Sequence, residues 1–337
     1  MPVYNCPRYV GVAIESILAQ TFNEFELLIL DDGSTDETPE VIKKYNDSRI
    51  RKFRHPNRGL AGTLNVGIQY SRGEFIARQD QDDVSHPERL SKQVEFLERH
   101  PLIGLVGTWA QIIEGDWLVE RYHRHPSEPE ELRYALLFNN PFVHSSVMLR
   151  KSVLDAVGGY STDRDRQPPE DFELWSRLAR QAEVANLPEE LLHYREIPGS
   201  MSRAGPSPFR NHLVRICIEN IAHASGAPEN DPQLVNIAAL SHGAVEMVLC
   251  RPNFARMREI LLAAAESICT ERTRETLRRS ASDHVQALRG LHFANKALLG
   301  RLVFLKGPVR NFLKYAYWSL QTLSRRIATS GKSLPNK

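Results

Sequence analysis

Two short apolar runs near the start of the chain end abruptly in carboxylates. Leu27-Leu28-Ile29-Leu30 runs into Asp31-Asp32-Gly33, and Glu74-Phe75-Ile76-Ala77-Arg78 leads into Asp80-Gln81-Asp82-Asp83. The first of these, apolar throughout, suits a strand covered on both faces, as in a parallel sheet. Between the runs the apolar residues take helical spacing, at Ala13, Ile14, Ile17 and Leu18 and again at Leu60, Leu64 and Ile68. Strands alternating with crossover helices predict an α/β fold, a mostly parallel sheet flanked by helices. Open sheets of that kind bind ligands outside the carboxyl ends of their strands, where both acidic clusters are expected.

The same reading continues down the chain. Met1 to Tyr4 reads as a strand remnant, Ile50 to Phe53 and Ile103 to Trp109 as strands, and Phe142 to Leu149 as a β-like run containing His144. Asp36 or Thr38 can cap a helix with Pro39 in its first turn. Pro87 opens a helix carrying Leu90, Val94 and Leu97, and another begins near Glu170-Asp171 with Phe172, Trp175 and Leu178 on its apolar stripe. After Ser200 strand signals fade. Arg203-Ala204-Gly205-Pro206-Ser207-Pro208 reads as a linker, which divides the chain into an α/β domain over 1–202 and a mainly helical region over 203–337.

A net charge of +2 and a pI near 8.3 provide no broad basic field, so nucleic acid is not the expected partner. Cys6, Cys217, Cys250 and Cys269 are scattered, which suits neither a zinc ribbon nor a disulfide framework and fits a reducing cytoplasm. The opening residues carry no basic leader and no run of ~20 apolar residues follows, so a secretion signal and a membrane span are not expected.

Four close acids raise one another's proton affinity and are best tolerated around a cation. Asp80 to Asp83 offers hard oxygen donors suited to Mg²⁺ or Mn²⁺ shared with substrate phosphates. An EF-hand is excluded, because its glycine and glutamate positions are here Ser85 and Ser91. The plainer alternative is a strand end and helix cap. Glu170 and Asp171 likewise suit the positive end of a helix, worth about 0.3–1 kcal/mol each. His123 and His125 read as a solvated loop. No Gly-x-Gly-x-x-Gly follows a strand, and Gly331-Lys332-Ser333 lacks the upstream glycine of a P-loop.

Six segments in order resemble the family 2 glycosyltransferases. They are Pro2-Val3-Tyr4-Asn5; Ser16 to Phe22 with Glu26 to Asp36; Asn57-Arg58-Gly59-Leu60-Ala61; Arg78 to Asp83; Asn140-Pro141-Phe142-Val143-His144; and Glu170-Asp171-Phe172-Glu173-Leu174-Trp175. The resemblance covers about residues 1–202. It implies a GT-A fold, a Rossmann-like domain for nucleotide-diphosphate sugars, and an inverting sugar transfer from such a donor to a sugar or lipid-linked acceptor. UDP is the implied nucleotide. Pro2, Val3, Tyr4 and Asp32 would hold base and ribose, although Tyr4 equally suits a core. By the same resemblance Asp82 would ligate Mn²⁺ or Mg²⁺, Asp80 would meet the ribose or metal-bound water, and Asp171 would be the general base. Glu170, His144 and Trp175 would lie on the acceptor side, with a structural histidine as the other reading of His144.

The chain departs from the family pattern in three places. The first strand usually begins several residues before the motif that here starts at Met1, so either the start is truncated or misassigned, or the sheet tolerates a stub. Leu64 stands where many relatives carry arginine, and the Gln-x-x-Arg-Trp motif of processive synthases is absent after Asp171. The expected role is addition of one or a few sugars in surface polysaccharide, lipopolysaccharide or glycolipid assembly. A degenerate sugar-nucleotide-binding or scaffold protein is the alternative, for which Asp82 or Asp171 would be missing. The segment from Arg301 to Arg326 interleaves basic with apolar and aromatic residues. It suits either contact with an anionic membrane or a helix packed on the catalytic domain.

Overall fold

The computed structural model describes residues 1–197 and 209–302, with side chains through 294. Strands β1 (Pro2–Val3), β2 (Leu27–Asp31) and β3 (Ile50–Arg54) form a parallel sheet in that order, with Pro2 opposite Leu30 and Val3 opposite Asp31. Helix α1 (Val10–Leu18) turns Val10, Ala13, Ile14 and Ile17 onto the buried faces of Val3, Leu27 and Ile29. Ile42 of α2 (Thr38–Lys43) joins the same core. The helical and strand periods read from the sequence therefore meet in one apolar layer.

The remaining strands form a mixed sheet. Strands β4 (Phe75–Ala77), β8 (Met148–Arg150), β6 (Ile103–Glu114), β9 (Glu183–Glu196) and β5 (Val84–Ser85) lie in that order, and β7 (Trp117–His123) pairs with β6. Only β6 and β9 run parallel here; β4 with β8, β8 with β6, β9 with β5 and β6 with β7 are antiparallel. The mostly parallel arrangement holds for β1 to β3 and the β6–β9 pair, not for this sheet as a whole. One cause is local: two residues, Gly115 and Asp116, join β6 to β7, and Gly115 sits at φ +65°, the left-handed backbone that a tight hairpin needs. The expected strand over Phe142–Leu149 is also shorter. Residues His144–Ser146 make a 3-10 turn, in which Ser146 Oγ donates to the Val143 carbonyl at 2.8 Å and the Ser146 amide donates to the same oxygen at 2.9 Å. Strand pairing begins only at Met148.

Four further helices cover the sheets: α3 (Gly59–Tyr70), α4 (Arg89–Arg99), α6 (Lys151–Val157) and α7 (Glu170–Leu178). A cavity of about 750 Å³ lies between Leu27 and Leu28 of β2 and Phe75 to Ala77 of β4, walled by Leu64, Gly67 and Ile68 of α3. The two-residue β1 borders it, and the Met1 nitrogen donates to the Leu28 carbonyl at 2.9 Å.

Helices α8 (Arg210–Ser225), α9 (Pro232–Ser241), α10 (Phe254–Ile268) and α11 (Arg274–Leu302) surround a core of Val214, Ile221, Leu234, Ile237, Leu261 and Leu277. That core also takes in Tyr134 of α5 (Pro129–Ala135) and the following Leu137 and Phe138, so the helical region shares buried surface with the sheet-bearing part. The expected linker at 203–208 and the basic aromatic segment after Arg301 lie outside the described residues and side chains.

Candidate active site

Both acidic clusters sit where strands end, as anticipated. Asp31 closes β2, and its Oδ1 accepts from the Ser34 amide at 2.8 Å. Asp32 turns to the start of α3, where its two oxygens accept from the amides of Arg58 and Gly59 at 2.7 and 3.0 Å. A carboxylate is favourable at those unpaired helix N–H groups. Gly33, at φ +80°, lets this turn touch the next loop: a Cβ there would lie 2.9 Å from the Asn57 nitrogen.

The second cluster is held by partners the sequence does not advertise. Gln81 pairs with the Tyr4 backbone as a strand would, accepting from its amide at 2.7 Å and donating to its carbonyl at 3.3 Å. Arg195 of β9 lies under the loop: its amide donates to Asp83 Oδ1 at 2.7 Å, its Nε donates to the Asp82 carbonyl at 2.8 Å, and its guanidinium stacks on Tyr9. Asp80 is ion-paired to buried Arg78 and takes its position from Ser145 Oγ, which accepts from the Asp80 amide at 2.8 Å.

Across the cleft, the N-terminus of α7 presents Glu170 and Asp171. The Phe172 amide donates to Asp171 Oδ1 at 2.7 Å, and Asn140 Nδ2 donates to Oδ2 at 2.7 Å. His144 Nε2 and Tyr160 Oη are hydrogen-bonded at 2.9 Å, while His144 Nδ1 stands 3.9 Å from Glu170 and 4.0 Å from Asp171. Burial, then the Arg78 charge, pushes His144 well below the usual histidine range, so its ring is neutral. Burial, then the Asp171 charge, lifts Glu170 to about 7. Burial also raises Asp171, and Asp80 adds to that.

A cleft of about 790 Å³ runs between the acidic loops and the start of α7. Of the residues singled out from sequence, Pro2, Val3, Tyr4, Asp32, Asp80, Asp82, His144, Glu170 and Asp171 all border it. Tyr4 is 45% exposed, which removes the alternative of a core tyrosine. Trp175 does not reach the cleft and is corrected to a core residue. It is 0% exposed, with its ring against those of Phe142, His144 and Tyr160, because this turn of α7 faces the sheet. Trp175 therefore backs His144 and Tyr160. His123 and His125, read as a solvated loop, stand in the cleft wall with their rings stacked at 6.1 Å. Burial, then His123, pulls His125 down to about 4. Leu64 is buried in the apolar core beside Phe142 and Leu149 rather than bordering the cleft.

Gln81, Arg78, Arg195, Asn140 and Tyr160 were not identified as site residues from sequence. Asn140 stood inside a recognised segment, so its type and place were a usable signal. Arg195 had none, since its reach to the acidic loop depends on the pairing of β9 with β5.

The donor set here is oxygen, which fits a hard divalent cation. Burial, then Asp80, pushes the Asp82 carboxyl up to about 6, and the same causes with Asp82 added push buried Asp83 well above the carboxylate range. Such a surplus of negative charge is what a cation relieves. Among the described residues there is no ready-made group of three or more His, Cys, Asp or Glu ligands. A cation at Asp82 would thus take much of its shell from a ligand or water.

The sequence model of Glycosyl transferase family 2 matches residues 1–158. EpsE of Bacillus subtilis (strain 168) is 37% identical over 208 residues, 60% of this chain and 74% of that one. The O-antigen biosynthesis glycosyltransferase WbnJ of Escherichia coli is 33% identical over 204 residues, 58% of this chain and 77% of its own. In structure, S. aureus TarS 1-349 in complex with UDP-GlcNAc aligns with a TM-score of 0.57 at 18% identity, covering 88% of this chain and 90% of that one. Among the described residues no helix is long and apolar enough to cross a membrane. With GT-A strands, a cleft at their carboxyl ends and relatives at this identity over most of their length, the chain belongs to the family 2 glycosyltransferases.

Proposed function

We propose that the protein is an inverting transferase that moves a sugar from a UDP-sugar to an acceptor hydroxyl during surface polysaccharide, lipopolysaccharide or glycolipid assembly. The observation that carries this reading is the placement of Asp80 and Asp82 in the same cleft as Glu170 and Asp171, with the exposed ring of Tyr4 among its lining residues. The choice of UDP rests on the ligand of the TarS structure, a neighbour in fold.

In this reading the Tyr4 ring stacks on the base, and Asp32 accepts from a ring N–H or a ribose hydroxyl with the lone pairs that α3 leaves open. Asp82, with Asp80, would hold a divalent cation where the diphosphate binds. That cation, when bound, offsets the charge gathering on the leaving phosphate. Asp171 takes the proton of the acceptor hydroxyl. The acceptor oxygen forms its bond to the anomeric carbon on the face opposite the departing phosphate oxygen, so the linkage is inverted. Burial favours this role by bringing the carboxylate's proton affinity closer to neutrality, where a general base is most effective.

The test is nucleotide release from a panel of UDP-, GDP- and dTDP-sugars by wild type and Asp171→Asn. The expected result is turnover with one donor class, lowered ~10²–10⁴-fold in Asp171→Asn with nucleotide binding retained. Nucleotide binding without turnover of any donor would instead favour the scaffold alternative.

A further inference from the structure

We propose that Asn140 is a positioning residue for the general base, holding the Asp171 carboxylate charged and in one orientation at the cleft; this rests on the reading of Asp171 as that base. Asn140 lies outside α7, on the segment that follows α5, and it reaches across to donate from Nδ2 to Asp171 Oδ2 at 2.7 Å. Its own orientation is fixed. The Phe142 amide donates to Asn140 Oδ1 at 3.0 Å, so reversing the side-chain amide would oppose two donors and leave Asp171 Oδ2 facing an acceptor.

The segment is pinned in turn. Pro141 restricts the backbone of Asn140 to extended conformations. The Pro141 carbonyl accepts from Asn186 Nδ2 at 3.1 Å, and that buried amide of β9 also donates to the Pro126 carbonyl at 3.0 Å. Asp171 is thus gripped at both oxygens, by Asn140 from one element and by the Phe172 amide from its own helix. One donor per oxygen leaves acceptor capacity on each for the proton of an incoming hydroxyl.

The charged and titratable groups around Asp171 explain why the donor matters. Asp80 bears like charge, Glu170 beside it is a second carboxyl lifted to about 7, Arg78 is the nearby cation, and neutral His144, bonded to Tyr160, faces both carboxyls. Removing a donor from a charged carboxylate among other acids favours its protonated form. The base would then be available only at higher pH, while donor binding, which uses other residues, would stay as it is.

Asn140→Ala removes donor and acceptor without adding charge and is the direct test; Asn140→Asp keeps size and the acceptor for the Phe142 amide but replaces the donor by a second like charge, which should raise Asp171 further. The first readout is the pH profile of UDP release from UDP-N-acetylglucosamine and UDP-glucose. In both variants its acid limb should move to higher pH, with kcat at pH 6.5 down about tenfold and donor KM unchanged. The second readout needs no turnover: a carboxyl ¹³C NMR titration, with the Asp171 signal identified by its loss in Asp171→Asn, should midpoint at higher pH in both variants. A folded variant with an unmoved Asp171 titration and an unmoved acid limb overturns the proposal and leaves Asn140 a structural residue. Full turnover in Asp171→Asn would instead overturn the reading of Asp171 as base, whatever the titration shows.

Discussion

Glu170 illustrates how a site residue opposes the stability of its own fold. Its proton affinity rises from the ordinary glutamate value of 4.5 to about 7, chiefly by burial and then by Asp171. Between those values the native state binds the proton more tightly than the unfolded chain, so stability falls as pH rises from about 4.5 to 7. Glu170→Gln should therefore be more stable than wild type at pH 8 and indistinguishable at pH 4, as read by urea midpoints at the two values. An equal pH slope in both proteins would rule out Glu170 as its source. That Asp80, Asp82, Glu170 and Asp171 border the cleft was open to sequence reasoning because clustered acids at a strand end or helix start are costly without a function. Arg195 and Tyr160 were not, because neither has a local sequence pattern that announces its partner.

At the scale of elements, the reading succeeded where period and length agree. Helix α7 begins at Glu170 as its apolar stripe indicated, and α4 carries Leu90 and Leu97 into the core as their spacing required. It failed where backbone groups are satisfied by side chains, as at His144–Ser146, and at the hairpin made by Gly115-Asp116. Strands β5 and β9 were also invisible, since Val84–Ser85 is too short to show a period and β9 mixes buried with exposed residues. One contact between elements is testable. A Cβ on Gly107 of β6 would collide with Asn186 Oδ1 and lie 2.9 Å from Phe142 Cδ1. Gly107→Ala should cost about 1–3 kcal/mol by overpacking, measured by urea denaturation, and should loosen the segment that carries Asn140.

Over the whole molecule, the helical region is tied to α7 and borders the cleft itself at Phe209 and Leu213. Asn220 of α8 donates to Ser176 Oγ of α7 at 2.8 Å and to the Leu136 carbonyl at 2.9 Å, and accepts from Arg180 at 3.0 Å. Arg166 bridges Glu173 of α7 and Glu219 of α8. Helix α7 is thus braced against α8 through Ser176 and Glu173. Asn220→Ala leaves buried partners unsatisfied and should lower stability by about 1–3 kcal/mol. A change near zero in the urea midpoint would contradict that brace. The composition and helical spacing after Ser200 indicated helices, but not that Tyr134, Leu137 and Phe138 would enter their core, because that contact joins parts of the chain far apart in sequence.

The most direct test of the central claim is heat-shift stabilisation by UDP, GDP, dTDP and CMP, with and without Mn²⁺, in wild type and Asp82→Ala. At 100 times its dissociation constant a bound nucleotide should add about 2.7 kcal/mol, a readily measured shift. Asp82→Ala without ligand should be no less stable at pH 7.5, because burial and Asp80 already disfavour the charged carboxylate. The account predicts a Mn²⁺-dependent shift with one nucleotide in wild type that disappears in Asp82→Ala. No shift with any nucleotide in folded wild type, or an equal shift in Asp82→Ala, would contradict it.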